Sequence, residues 1–138
     1  MRTELAEKLF NDFPALFPRG KQEGRPQDPF RLFGFEVLDG WYDLIYGLAT
    51  SITAHAEQAG LQPGPQVAQV KEKFGTLRFY LDGADDTIED LVQAAERASE
   101  NICEQCGQPG QLRVFNDWYL TRCEIHAKGA VVVPTDPA

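Results

Sequence analysis

The chain has 138 residues and a formal net charge of −8, with 13 basic residues against 21 acidic ones. This length suits one domain with a single core, and the acidic balance disfavours nonspecific nucleic-acid binding, which depends on clustered lysine and arginine. Three cysteines without a signal-peptide-like apolar stretch argue against a secreted disulfide framework and predict a reducing, cytoplasmic location. No apolar run approaches the length of a bilayer span, so we expect no membrane association.

The N-terminal segment predicts one helix and one loop. Apolar residues recur at helical spacing over residues 3–13, and Thr3 offers a side-chain cap. The proline- and glycine-rich segment 18–29 predicts an exposed loop, which could meet a partner.

A short strand and a long helix follow. Phe33, Phe35 and Val37 alternate, which predicts that they share one face of the strand. An apolar stripe then predicts a helix over residues 41–59, capped by Asp39.

The middle of the chain predicts an antiparallel hairpin and a further helix. The hairpin covers residues 67–81 and turns at Phe74 and Gly75. Helical spacing resumes over residues 87–102, with Thr87 as the expected cap. We expect Trp41 and Phe79 to lie in the core.

The strongest chemical signal is a C-x2-C-x16-C-x2-H array formed by Cys103, Cys106, Cys123 and His126. Two chelating pairs that supply three thiolates and one imidazole suit a tetrahedral Zn²⁺ with no position left for water. The array therefore predicts one structural zinc ion. The alternative is three incidental thiols and a surface histidine.

The residues between the two ligand pairs predict a small hairpin, with strands over 111–115 and 118–121. Cys123 and His126 would then occupy the first turn of a short helix. This arrangement resembles treble-clef zinc modules, which occur in enzymes, adaptors and nucleic-acid binders alike.

Basic and aromatic residues alternate along the central hairpin. Lys71, Lys73, Arg78 and Tyr80 are predicted to share its outer face, where they are candidates for contact with a partner or nucleic acid. The alternative is an ordinary solvated strand surface, on which lysine is common.

A second possible metal motif combines His55 and Glu57 with Cys103 and Cys106, in the manner of zinc deaminases. Ile102 stands where that signature has proline, and the motif would leave Cys123 and His126 without a role. No phosphate-binding loop, nucleophile elbow or zinc-protease helix motif occurs. We therefore predict no catalytic residue, and no cofactor other than zinc.

Five carboxylates crowd the start of the third predicted helix. They favour compensation of the helix dipole over a Ca²⁺ or Mg²⁺ site, because the glycine and the terminal glutamate of an EF-hand loop are missing. The five are Asp82, Asp85, Asp86, Glu89 and Asp90.

The Gly40-to-Ile45 segment, the Lys71-to-Tyr80 stretch and the cysteine knuckle with Trp118-to-His126 together resemble a family of small proteins from bacterial and phage genomes. The resemblance covers about residues 39–126. It implies a recurring fold but transfers no activity and no catalytic residue. A phage-linked distribution would suit an accessory or counter-defence protein whose acidic surface occupies a basic groove of host machinery.

The predicted fold is α+β: a small antiparallel sheet packed with about three helices, and a C-terminal treble-clef-like zinc module. The core covers residues 1–102, the zinc module 103–128 and a tail 129–138. We predict a zinc-stabilised protein-binding protein, with a nucleic-acid binder and a zinc hydrolase or deaminase as alternatives. The tail predicts either an edge strand or a free end.

Overall fold

A computed structural model of the protein describes residues 1–24 and 26–134. Arg25, in the predicted loop, and residues 135–138 of the predicted tail lie outside the described residues. The fold is α+β, as predicted. Its helices are α1 (Thr3–Asp12), α2 (Pro29–Phe33), α3 (Tyr42–Ala59) and α4 (Asp86–Ser99), and its strands are β1 (Phe35–Glu36), β2 (Gln66–Lys73), β3 (Thr76–Asp82), β4 (Gln111–Phe115), β5 (Trp118–Arg122) and β6 (Val131–Val132).

The strands form two three-stranded sheets, ordered β1-β2-β3 and β5-β4-β6. In the first sheet β2 and β3 form the predicted antiparallel hairpin, but β1 runs parallel to β2, so this sheet is mixed and not wholly antiparallel. In the second sheet both neighbours of β4 are antiparallel. Of the two outcomes left open for the tail, Val131 and Val132 adopt the edge strand.

The core lies between the inner face of the first sheet and helices α1, α3 and α4. Trp41 and Phe79 are buried in it, as predicted. Aromatic rings fill the part beneath α1, where the Phe35 centroid lies 5.0 Å from those of both Phe17 and Phe30 in edge-on contact. Such pairs add about 0.5–1.5 kcal/mol to the stabilisation that burial itself supplies.

The predicted position of Phe33 is wrong. Phe35 and Val37 are buried, but Phe33 lies in α2 and is 67% exposed. The cause is a local helix signal: the Asp28 carboxylate accepts a hydrogen bond of 2.9 Å from the Arg31 amide, and a proline opens the helix. Helix α2 therefore precedes the strand.

The predicted caps at Thr3 and Asp39 are also wrong. Thr3 is the first residue of α1, and no side chain caps that helix from the N-cap position at Arg2. The Asp39 carboxylate accepts a hydrogen bond of 2.7 Å from the Arg2 amide, so it supports the start of α1 from a distance. Asp39 itself begins a 3-10 turn, Asp39–Trp41, that leads into α3.

Helix α4 begins earlier than predicted, because Asp85 and not Thr87 is its cap. The Asp85 carboxylate accepts a hydrogen bond of 2.9 Å from the Ile88 amide. Asp86 and Glu89 occupy the first turn, where negative charge favours the helix dipole. The helix ends at Ser99, and a short connection leads to Cys103.

Helix α4 also covers the open edge of β3. The Leu77 amide donates to Ser99 Oγ at 2.9 Å, and the Phe79 amide donates to Glu96 Oε2 at 3.0 Å. These bonds satisfy backbone donors that would otherwise remain unpaired at the edge of the sheet. Among the described residues, no helix is long and apolar enough to cross a membrane.

Candidate metal centre

The structure brings together the four residues predicted to bind metal. Cys103 and Cys106 lie in the turn between α4 and β4, while Cys123 and His126 follow β5. The four candidate ligand atoms all lie within 4.8 Å of one another. Two ligand pairs with 16 residues between them in sequence are therefore brought to one point by the β4–β5 hairpin.

Two of three separations between these atoms match a tetrahedral metal centre, and the third is shorter. Zn–S bonds of about 2.3 Å and Zn–N bonds of about 2.0–2.1 Å place tetrahedral ligand atoms about 3.6–3.8 Å apart. The Cys106 and Cys123 sulfurs are 3.7 Å apart, and His126 Nδ1 lies 3.8 Å from the Cys103 sulfur and 3.2 Å from that of Cys123. All three cysteines are free thiols. The group can therefore bind a metal ion, and its donors are compatible with zinc.

The first ligand pair lies in a tight backbone knuckle. The Gly107 amide donates to the Cys103 carbonyl at 2.9 Å, and Gly107 has a φ of 80°, which glycine adopts without strain. Burial raises the pKa of the Cys103 thiol, but hydrogen bonds from the amides of Cys123, Cys106 and Gln105 outweigh this and lower the pKa to about 6. The backbone thus favours the thiolate that a metal requires.

The second ligand pair does not lie in a helix, contrary to our prediction. The His126 amide donates to the Cys123 carbonyl at 3.2 Å, and the Ala127 amide donates to the Glu124 carbonyl at 3.3 Å. These bonds define two successive turns. The next two residues, Lys128 and Gly129, both have positive φ values, so the chain cannot continue as a helix.

Arg122 links the two ligand pairs, and sequence reasoning missed it. Its guanidinium contacts Glu104 Oε1 at 3.0 and 3.1 Å and donates to Gln105 Oε1 at 2.7 Å and to the His126 carbonyl at 3.4 Å. Burial raises the pKa of Glu104, and Arg122 opposes that shift. The only signal in the sequence was the position of this arginine next to Cys123.

The metal centre packs directly onto the core. The Gly40 amide donates to the Glu104 carbonyl at 2.9 Å, and the Trp41 indole donates to the Ile102 carbonyl at 2.9 Å. On the other side, Thr121 Oγ1 donates to the Gly75 carbonyl at 2.6 Å. The tip of the β2–β3 hairpin is thereby joined to β5.

The structure also places the four candidate contact residues of the β2–β3 hairpin on one face. Lys71 lies opposite Arg78 in the strand register, while Lys73 lies opposite Thr76 and Tyr80 opposite Gln69. Val70 and Phe79 occupy the other, buried face. These positions create a local basic surface on an acidic chain, and they do not identify what it binds.

His55 and Glu57 lie outside the metal centre. His55 Nε2 contacts Asp85 Oδ2 at 2.6 Å, and Glu57 is exposed near the end of α3. A deaminase site would need His55 beside Cys103 and Cys106, and the structure brings Cys123 and His126 there instead. The Asp85 carboxylate is engaged by His55 and by the start of α4.

No protein-family model, no curated protein and no solved structure matches this chain. The resemblance to bacterial and phage proteins therefore stays a prediction.

Proposed function

We propose that this protein is a non-enzymatic, zinc-stabilised binding protein that acts through protein–protein contacts. The observation that carries the proposal is the four-ligand centre, whose donor atoms lie within 4.8 Å of one another. Its first cysteine pair contacts the core through the Gly40 amide, which donates to the Glu104 carbonyl. Three thiolates and one imidazole saturate a tetrahedral ion, so no coordination position remains to activate water. The centre suits a structural role.

Zinc is the metal that these donors favour. Soft thiolate ligands in tetrahedral S/N sets select Zn²⁺ or iron–sulfur clusters, and a single imidazole beside three thiolates is an established structural zinc set. Elemental analysis of protein purified without added metal should give one zinc per chain. After replacement by Co²⁺, a visible spectrum of octahedral type would contradict the closed, four-ligand site.

Surface composition supports a protein partner. Several large apolar side chains are exposed around the two hairpins, among them Phe74, Phe115 and Trp118. Exposed apolar patches of this kind are typical of interaction sites. Three bound thiolates and one zinc ion would bring the net charge to about −9, which opposes a phosphate backbone.

The test is affinity purification of the tagged protein from its source cell, compared with a Cys106→Ser variant in parallel. A partner should be retained by the wild type and lost by the variant, because the variant lacks one metal ligand and its hairpin is released. If the wild type retains no more protein than the variant does, the proposed function is wrong.

Nucleic-acid binding is the second candidate, and the strand register is the observation that favours it. Lys71, Lys73, Arg78 and Tyr80 share the outer face of the β2–β3 hairpin, where cations could meet phosphates and the tyrosine could stack on a base. Titration with single-stranded and duplex DNA at increasing salt separates the two functions, since phosphate contacts weaken steeply with ionic strength.

A cytoplasmic location is part of the same proposal, because three cysteines that hold a metal ion as thiolates suit a reducing compartment. The accessory or counter-defence role stays a prediction.

A further inference from the structure

We propose that the groove between the tips of the two hairpins binds a peptide segment of a partner protein, in which a large apolar side chain lies next to a lysine or arginine. This inference rests on the proposed function and names the site and the chemistry of the partner. The groove is about 460 Å³ in volume, within the range of sites that enclose a ligand group. It is lined by Glu72, Lys73, Phe74, Asp117, Trp118 and Tyr119.

Three aromatic rings of the groove face solvent. Phe74 is 64% exposed, Trp118 69% and Tyr119 41%. Burial of an aromatic side chain stabilises a folded protein, and these three gain little of that stabilisation in the isolated chain. Their apolar surface is available to a partner.

The backbone conformation of Phe74 is also unfavourable for the folded state. Phe74 and Gly75 form the two-residue turn of the β2–β3 hairpin, with φ values of 55° and 82°. Such turns favour asparagine before glycine, and a bulky residue at positive φ is strained. Phe74 is therefore both strained and exposed, a combination typical of sites selected for contact and not for stability.

The tip of the β2–β3 hairpin is held against β5. Thr121 Oγ1 donates to the Gly75 carbonyl, and a Cβ at Gly75 would lie only 2.8 Å from Leu112 Cδ1 and 3.0 Å from the Leu120 amide nitrogen. The hairpins thus touch at Gly75, close to the end of β5 that leads into the metal centre at Cys123. A groove formed in advance loses less entropy when a peptide binds.

The charges of the groove favour a basic segment. Among the described residues that line it, Glu72 and Asp117 are carboxylates and Lys73 is the one cation, with Lys73 Nζ lying 5.5 Å from the Phe74 ring centroid. A cationic side chain in the groove would meet two carboxylates against one lysine, and this balance disfavours a phosphate.

The test uses the zinc-loaded, full-length protein and a phage-displayed library of random short peptides. Selected peptides should carry an aromatic or large aliphatic residue next to lysine or arginine. Phe74→Asn and Trp118→Thr should each weaken binding of the synthesised peptides by about tenfold or more, as loss of an interface anchor does. Phe74→Asn should leave the melting temperature unchanged or raise it, because asparagine suits the turn.

The matched control is Phe33→Ser, which removes an equally exposed phenylalanine outside the groove and should leave peptide binding unchanged. If selected peptides bind both groove variants as tightly as the wild type, the groove is not the site, while the proposed function survives. If no peptide is selected and no partner is retained from the source cell, both proposals fail. Binding of oligo(dT) but not of peptides, lost in both groove variants, would replace the peptide with a single-stranded nucleic acid and overturn this inference.

Discussion

At the scale of single residues, Gly40 decides whether the metal centre can pack against the core. A Cβ at this position would lie 2.1 Å from the Cys103 carbonyl oxygen and 2.5 Å from the Glu104 carbonyl carbon. Both neighbours are backbone atoms of the cysteine knuckle, so they cannot rotate away as a side chain would. Gly40 is required for close approach and not for an unusual φ.

Gly40→Ala should therefore destabilise the protein by about 1–3 kcal/mol, because the knuckle must shift to relieve the clash. The measurement is urea unfolding of the zinc-loaded protein. Gly47→Ala is the matched control: Gly47 lies within α3, a Cβ added there would meet no described atom within 4 Å outside the helix backbone, and alanine should stabilise by about 0.5–1 kcal/mol. Equal effects of the two substitutions would contradict this role of Gly40.

Arg122→Lys should weaken metal binding by about 10–100-fold, the usual effect of losing a residue that orients metal ligands. Lysine retains the positive charge but cannot donate to Glu104, Gln105 and the His126 carbonyl at once. Competition with a chromophoric chelator measures the affinity. Arg97→Lys is the control, because Arg97 lies on the exposed face of α4. An affinity unchanged in both variants would show that Arg122 does not position the ligands.

At the scale of elements, the start of α4 is tied to α3 by one carboxylate. Asp85 caps α4 through the Ile88 amide and also contacts His55 of α3 at 2.6 Å. The hydrogen bond from His55, followed by that from the Ile88 amide, holds the pKa of Asp85 below its ordinary value. A lowered pKa means that folding stabilises the ionised form of Asp85 relative to its protonated form.

The sign of the pH effect follows from that shift. The contribution of Asp85 to stability is complete above the pKa of the unfolded chain and disappears as the pH falls through the lower pKa of the folded state. Asp85→Asn retains a good helix cap but not the charge. Its stability should therefore fall less than that of the wild type between about pH 6 and pH 2, as measured by urea unfolding. If the unfolding free energies of the wild type and of Asp85→Asn change with pH in parallel over this range, the lowered pKa of Asp85 is contradicted.

At the scale of the whole molecule, charge and metal dependence are divided between two parts of the chain. Four of the 21 acidic residues and three of the 13 basic residues follow Ile102, so most of the negative charge belongs to the first 102 residues. The hydrophobic core cluster also lies within those residues. The segment after Ile102 contributes few buried apolar side chains, so a metal bound at the four-residue centre would supply much of its stability.

Metal removal should therefore unfold residues 103–128 before the rest of the chain. Binding at a structural zinc site is worth about 10–16 kcal/mol, comparable to the entire stability of a typical domain, about 5–15 kcal/mol. Hydrogen exchange with and without a chelator measures this. Amides of β4 and β5 should lose protection while those of α3 retain it. A metal-free wild-type protein with unchanged protection and melting temperature would refute the metal site.

Much of the metal site could be predicted because its evidence is local. Cysteines separated by two residues can bind one ion almost regardless of what surrounds them. The turns at Phe74–Gly75 and Asn116–Asp117 can likewise be predicted from the neighbouring residues. Arg122 could not be predicted, because its partners Glu104 and Gln105 become neighbours only after the β4–β5 hairpin forms.

The sequence by itself determined the candidate metal ligands, the two hairpins and the long helix, because periodicity, turn chemistry and chelate spacing act over a few residues. Only the tertiary structure decided that Asp39 supports the start of α1, that Asp85 contacts His55, and that Gly40 meets the cysteine knuckle. It also decided that the two hairpin tips form one groove. These features depend on contacts between distant segments, where a single close approach or hydrogen bond outweighs local preference.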